Sequence, residues 1–144
     1  YDETLELCAS PNFMERFGKK RETEEYFESL DYVDFYKDEQ ILRRWFKHHF
    51  GNDSQRLRVK ATIEDSQGIA RLVRSDVGAG ILAGHYIKRI EREGTKIHVF
   101  KGRKEPLKNT ISIASLKDRT QSRSSQAFLE FILKEFADPK KRSG

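Results

Sequence analysis

Two adjacent imidazoles, His48 and His49, are the first side chains in this sequence to suggest chemistry. Histidines that share a metal on one helix need a spacing of three or four, because neighbours diverge by about 100° around the axis. His49 falls on an apolar stripe and His48 beside its polar edge near Arg44, so the pair reads as one packed and one exposed histidine. His85 and His98 have no carboxylate or cysteine at a recognisable ligand spacing, and no zinc site is expected. Gly78-Ala79-Gly80 has the composition of a phosphate loop, but no Gly-Lys-Ser/Thr follows it and the segment reads as a strand. Small residues in a strand let another backbone or a ligand come close. No serine sits in a nucleophile elbow, and no acid–base–nucleophile set can be spaced out along the chain, so catalysis is not expected. No cofactor is called for.

What remains is binding. In open α/β sheets, ligands collect beyond the carboxyl ends of strands, where helix N-termini present free N–H groups. Two such junctions are legible, Tyr36-Lys37-Asp38 and Thr62-Ile63-Glu64-Asp65-Ser66. Both carry acids that can cap those N–H groups. That disfavours a simple anion, leaves room for a polar or apolar molecule, and keeps ordinary capping open as the alternative.

The elements that must position these residues follow from periodicity. Leu5, Leu7 and Ala9 alternate with Glu6 and Cys8, a strand over residues 4–9 with one buried face. Ser10-Pro11-Asn12 ends it, and Phe13, Met14 and Phe17 give a short helical turn closed by Gly18. Residues 19–25 form a charged loop or helix start anchored by Tyr26, Phe27 and Leu30, before a second, aromatic strand over residues 32–36. Asp38 is placed to cap a helix with a wide apolar stripe, Ile41, Leu42, Trp45, Phe46, His49 and Phe50, ending at Gly51-Asn52. Leu57, Val59 and Ala61 alternate with Arg56, Arg58 and Lys60 in a third strand. Glu64 and Asp65 open a helix carrying Ile69, Leu72 and Val73. Residues 77–83 lack any polar side chain, as expected of a strand buried on both faces. A short helix over residues 85–92 stops at Gly94. Strands are expected over residues 96–100 and 110–116, separated by a loop with Gly102 and Pro106. A terminal amphipathic helix carries Ala127, Phe128, Phe131, Ile132 and Phe136, with serines 122, 124 and 125 before it and Pro139 after it. Strands alternating with helices argue for an α/β sheet with parallel pairing. No internal repeat is visible.

Composition sets the bounds. At 144 residues, with 36% hydrophobic and 35% charged residues, the chain suits one domain, or most of a two-lobed one, with a highly charged surface. No stretch approaches the roughly 18 consecutive apolar residues of a membrane span, and no signal peptide is expected at its Tyr1 start. The single Cys8 cannot form an internal disulfide, which fits a reducing compartment. The net charge of +5 invites a nucleic-acid reading, yet the basic residues are scattered and mostly have acids nearby. They read as a solvated surface plus a disordered basic tail over residues 138–144, with a small nucleic-acid-binding module as a minority alternative.

Read in order, the second half of the chain carries a recognisable string. "ATIEDSQGIARLV" is a strand-to-helix junction opened by acids and packed by a Leu-Val pair. "GAGILAGH" is a Gly-x-Gly-Ile strand matched by Gly78, Gly80 and Ile81, and "SLKDRTQSRSSQAFLEFILKEF" is a closing strand, polar loop and helix. With "LELCASPNFMERFG" and "LRRWF" upstream, the sequence resembles the carboxy-terminal part of the effector-binding domain of LysR-type transcriptional regulators. His85 departs from the pattern, standing where a proline commonly ends the strand.

The resemblance implies an α/β fold of the periplasmic-binding-protein type 2 kind, with one complete lobe and a small part of the other. Residues 10–109 would be the second lobe, 1–9 and 110–116 the crossover strands, and 117–137 the return to the first lobe. Effectors of the family bind between lobes, and the positions implied here are Ser10, Pro11, Thr62, Ile63, Glu64 and Gly80. The resemblance further implies a cytoplasmic, homo-oligomeric (dimeric) bacterial regulator that senses a small-molecule effector. It would meet DNA only through an amino-terminal domain absent from this sequence, and would have no membrane association. A solute-binding protein of the same fold is the alternative. With most of the first lobe absent, Ile111, Ile113, Leu116 and the Phe128/Phe131/Ile132 face would lack a core, so self-association is expected.

Overall fold

Why the chain builds its sheet where it does is visible in the alternation of buried side chains. The computed structural model describes residues 2–18, 22–35, 41–52, 56–114 and 122–137. The 36–38 junction, the Asp38 cap, residues 115–121 and the segment 138–144 with Pro139 lie outside the described residues. Strand β1 (Asp2–Ala9) leads into helix α1 (Pro11–Phe17), α2 (Glu24–Ser29), β2 (Asp31–Phe35), α3 (Ile41–Phe50) and β3 (Arg58–Ile63). Then follow α4 (Ser66–Arg74), β4 (Gly80–Ala83), α5 (Gly84–Arg92), β5 (His98–Val99), β6 (Leu107–Thr110) and α6 (Arg123–Ala137).

The chain divides into two compact units, one comprising Glu3–Asn109 and the other Tyr1–Asp2 with Thr110–Gly144. In the first, β1 lies between β4 on one edge and β5 and β6 on the other. β2 and β3 pair in parallel, and a parallel bridge from Tyr32 to Ala79 joins them to β4. The parallel expectation therefore holds for β2, β3 and β4. It fails for β1, which is antiparallel to β4 with Leu5 opposite Ala83 and Cys8 opposite Gly80, and antiparallel to β5. β1 also differs from the expected half-buried strand: neighbours on both edges and helices on both faces bury Leu7, Cys8 and Ala9 completely.

Two apolar layers sandwich the sheet. Leu5, Leu7, Ala9, Tyr32, Ala79 and Ile81 face α1, α2 and α3, where Phe27 packs edge-on against Trp45, Phe46, Phe50 and Phe100 with ring centroids 5.2–6.1 Å apart. The intervening residues Cys8, Val33 and Leu82 face α4 and α5, meeting Ile69, Val73, Ile87 and Ile90. Period-two side-chain alternation in each strand feeds both layers. The small-residue strand is shorter than expected, β4 starting at Gly80, and close packing by β2 and α4 explains that glycine and Gly78 ahead of it. A Cβ on Gly80 would lie 2.8 Å from Val33 and 3.0 Å from Ile69 and Val73, and one on Gly78 would lie 2.7 Å from the Tyr32 backbone. What comes close at Gly78 and Gly80 is the chain itself.

Local signals set the helix starts. Ser10 caps α1, its hydroxyl accepting from Phe13 N at 3.1 Å, with Pro11 at the first helical position; Thr23 caps α2; Asp65 caps α4, accepting from Gly68 N at 2.8 Å. The last expected strand is displaced. The ladder runs over Leu107–Thr110, and residues 111–114 have no regular structure, because only the earlier stretch lies along the free edge of β1. In the second unit the Thr110 hydroxyl donates to Asp2 at 2.6 Å and Ser122 Oγ accepts from Ser125 N at the start of α6. Helix α6 exposes Phe128, Phe131, Leu133 and Phe136 to between 46% and 64%.

Candidate functional site

Parallel β2, β3 and β4 end on the same side of the sheet, at Phe35, Ile63 and Ala83, and α4 and α5 begin there. Because β1 is antiparallel to β4, its first residues reach that side too. These ends enclose a cavity of about 420 Å3 that lies wholly within the Glu3–Asn109 unit. Its apolar lining comes from Leu5 of β1, Phe35 at the end of β2, Ile41 of α3, and Ile81 and Ala83 of β4. Its polar lining comes from Glu3, Arg44, Ser66, His85, Tyr86 and Asn109.

The polar groups are arranged by the ladder and the helix starts. Pairing of β6 with β1 sets Asn109 beside Glu3, and its Nδ2 donates to Glu3 Oε1 at 2.9 Å. His85 Nδ1 lies 3.6 Å from Glu3 Oε2, and the Glu3 side chain is 14% exposed. Arg44 shares a helix face with Ile41, three residues earlier; it is exposed and has no ion pair among the described residues. The two helix N-termini differ. The Asp65 side chain accepts from Gly68 N at the start of α4, whereas α5 starts at Gly84 after Ala83 with no side-chain cap, next to the cavity-lining residues Ala83, His85 and Tyr86.

Of the positions implied by resemblance, Thr62, Ile63 and Glu64 lie at this end of the sheet. Ser66, two residues on, reaches the cavity, while Ile63 turns onto Gly68 of α4. Ser10, Pro11 and Gly80 lie at the opposite end of β1 and β4, so the structure does not bring the six together. Ser10 donates to Asp76 Oδ1, and Pro11 borders a separate groove of about 530 Å3 with Met14, Ile97 and His98. Glu3, Arg44, His85 and Asn109 were not singled out as binding residues in the sequence. Glu3 and Asn109 are 106 residues apart, and no local pattern links them. His85 drew notice as a departure from a motif and as a histidine without metal-ligand spacing, not as a binding residue.

Chemically, the cavity offers an apolar floor and a polar rim of mixed charge. His85 has a carboxylate partner, and among the described residues no hydroxyl is bonded to its other ring nitrogen. Cys8 is fully buried, its thiol donates to Gly80 O at 3.4 Å, and burial pushes its pKa far up, which leaves it unreactive. Among the described residues no three metal-ligating side chains converge, and no helix is long and apolar enough to cross a membrane.

Known structures share this architecture. The chain is similar to the regulatory domain of CrgA, a LysR-type transcriptional regulator from Neisseria meningitidis (15% identity, TM-score 0.67, covering 94% of this chain and 65% of that one). It is also similar to the effector-binding domain of QuiR in complex with shikimate (20% identity, TM-score 0.65, 92% and 61%). A third likeness is to full-length LysG from Corynebacterium glutamicum with bound effector Arg (13% identity, TM-score 0.67, 92% and 43%). At these identities the likeness is one of fold, the periplasmic-binding-protein type 2-like α/β fold, and the chain spans less than two thirds of each of the three. None of the curated proteins matches its sequence significantly. The family profile described as the LysR substrate binding domain matches residues 1–137, and the chain therefore belongs to that family.

Proposed function

We propose that this chain is the effector-sensing part of a bacterial LysR-type transcription regulator, and that the effector is a small molecule held against the cavity at the ends of β2, β3 and β4. The observation that carries this reading is the cavity itself: an apolar floor ringed by Glu3, Arg44, Ser66, His85 and Asn109 beside an uncapped helix start. The Thr62-Ile63-Glu64 junction supplies the turn that brings Ser66 to it. Ligand binding would bias the arrangement of the domain and so the geometry of a cytoplasmic homodimer, with DNA contacted through a separate domain. The chain acts by binding and not by turnover.

Titration of the labelled chain with small metabolites, shikimate and L-arginine among the first, tests this by amide chemical shifts. A ligand should shift Ser66, His85 and Tyr86, and Arg44→Gln or His85→Ala should weaken it about tenfold or more, the scale of losing one charge-assisted hydrogen bond. Ligands that perturb only residues remote from the cavity would refute the assignment.

A further inference from the structure

The last turn of α3 holds the loop that precedes β6, and it holds it largely by the loop's backbone. His49 Nδ1 accepts from two successive amides, Arg103 N and Lys104 N, each at 3.2 Å. The two preceding amides go to Glu22: Gly102 N donates to Oε2 at 2.9 Å and Lys101 N to Oε1 at 3.4 Å. His48 Nε2 lies 2.8 Å from Glu105 O, and the Arg103 guanidinium stacks 4.7 Å from the Phe50 ring centre. Gly102 lies directly over the His49 ring, where a Cβ would come within 2.4 Å of Nδ1, and its φ of +66° is in the left-handed region.

A ring nitrogen can accept those two amides only if it carries no proton. The interaction therefore fixes the neutral tautomer with the proton on Nε2. The ring is 2% exposed and packs 4.3 Å from the Trp45 centroid. Around it stand His48 on the same helix, Lys101, Arg103, Lys104 and Glu105 on the loop, Glu22 ahead of α2, and Glu6 across the neighbouring cavity on β1. An imidazolium here would abolish the acceptor and set a positive charge against Lys104 and Arg103.

We propose that residues 101–105 form a proton-released clasp, held on α3 by the neutral form of His49 and lifted when that ring takes a proton. The clasp leads directly into β6, so its hold also sets where Asn109 meets Glu3. Burial holds the His49 pKa down at about 4, with His48 and Lys104 adding to the effect. Once the loop lifts, the ring regains its ordinary value of about 6.5. Linkage then makes opening easier with each step down in pH between those two values.

Amide exchange of the full chain, corrected for the intrinsic pH dependence of exchange, measures this between pH 7.0 and 5.5, above the range in which carboxylates ordinarily titrate. Protection of Arg103 and Lys104 should fall about eightfold across that interval. In His49→Asn, whose Oδ1 reproduces the acceptor without titrating, the fall should vanish. In His48→Gln, which keeps a donor for Glu105 O, it should persist. Imidazole 15N shifts of the unsubstituted chain give a second, independent readout: at pH 7 they should show the Nε2–H tautomer at His49. A Nδ1–H tautomer, a pH-independent protection in the unsubstituted chain, or a fall that survives His49→Asn or disappears in His48→Gln would each overturn the proposal.

Discussion

Asp76 is the residue on which local strain and tertiary contact most directly compete. Its φ of +62° is unusual for a residue with a side chain, and glycine would relieve about 1 kcal/mol of that strain. Against this, its carboxylate accepts from Ser10 Oγ and from Asn12 Nδ2 at 3.3 Å, and its carbonyl accepts from Arg16 at 2.8 Å. Ser10 is 5% exposed, so losing the carboxylate leaves a buried hydroxyl seeking another acceptor. A hydrogen bond to a charged group contributes about 1.5–3 kcal/mol. Asp76→Gly should therefore destabilise the chain by about 1 kcal/mol in urea unfolding, and a variant as stable as the parent would show that the strain offsets the bonds in full. His49 gives a second residue-scale prediction. Its folded pKa lies below its unfolded one, so its contribution to stability is fully present above about pH 6.5 and is lost as pH falls towards about 4. The urea midpoint should drop across that window, and His49→Asn should flatten the drop. Of these residue roles, the sequence showed the packing of His49 on the apolar stripe. It gave no sign of the left-handed turn at Asp76, because the stabilising partners come from α1 and its cap, 60 or more residues away.

Among the elements, β4 and the helices around it show how sequence pattern becomes packing. The absence of polar side chains over residues 77–83 announces burial on both faces, and the two glycines mark where neighbours crowd in. Gly80→Ala pushes a methyl among Val33, Ile69 and Val73, three branched side chains held by the second apolar layer. Overpacking of this kind typically costs about 1–3 kcal/mol. Gly78→Ala meets the Tyr32 backbone instead, which cannot rotate aside, so thermal unfolding should show the larger loss at Gly78. Equal losses would mean that the strand shifts as a body. α3 was legible from the spacing of Ile41, Leu42, Trp45, Phe46, His49 and Phe50, because a 3.6-residue period leaves one solution for its buried face. The strand near residue 110 was misplaced, because β-branched Ile111 and Ile113 attract a strand assignment by propensity alone. The edge of β1 selects Leu107–Thr110.

At the scale of the molecule, the Glu3–Asn109 unit owns a two-layered core, whereas the unit from Thr110 onward exposes most of the large apolar side chains among its described residues. Ile111 and Ile113 are 48% and 53% exposed, and Phe128, Phe131, Leu133 and Phe136 of α6 are exposed too. Apolar surface of this extent favours association. Light scattering should show a mass that rises with concentration, and Phe128→Ser with Phe131→Ser should bring it down. A monodisperse monomer would count against that expectation.

The sequence by itself determined what short-range pattern can encode. Periodicity marked the strands and helices of the first unit, the acids at Glu64 and Asp65 marked the start of α4, and the ordered string from Thr62 to Phe136 pointed to the family. Only the tertiary structure decided the direction of β1, the position of β6, and the cavity that both create. A strand's side-chain alternation is the same in parallel and antiparallel pairing, so β1 carries no sign of its direction until β4 lies against it. Glu3, Arg44, His85 and Asn109 come from four different elements, and their convergence depends on pairings that no local spacing records.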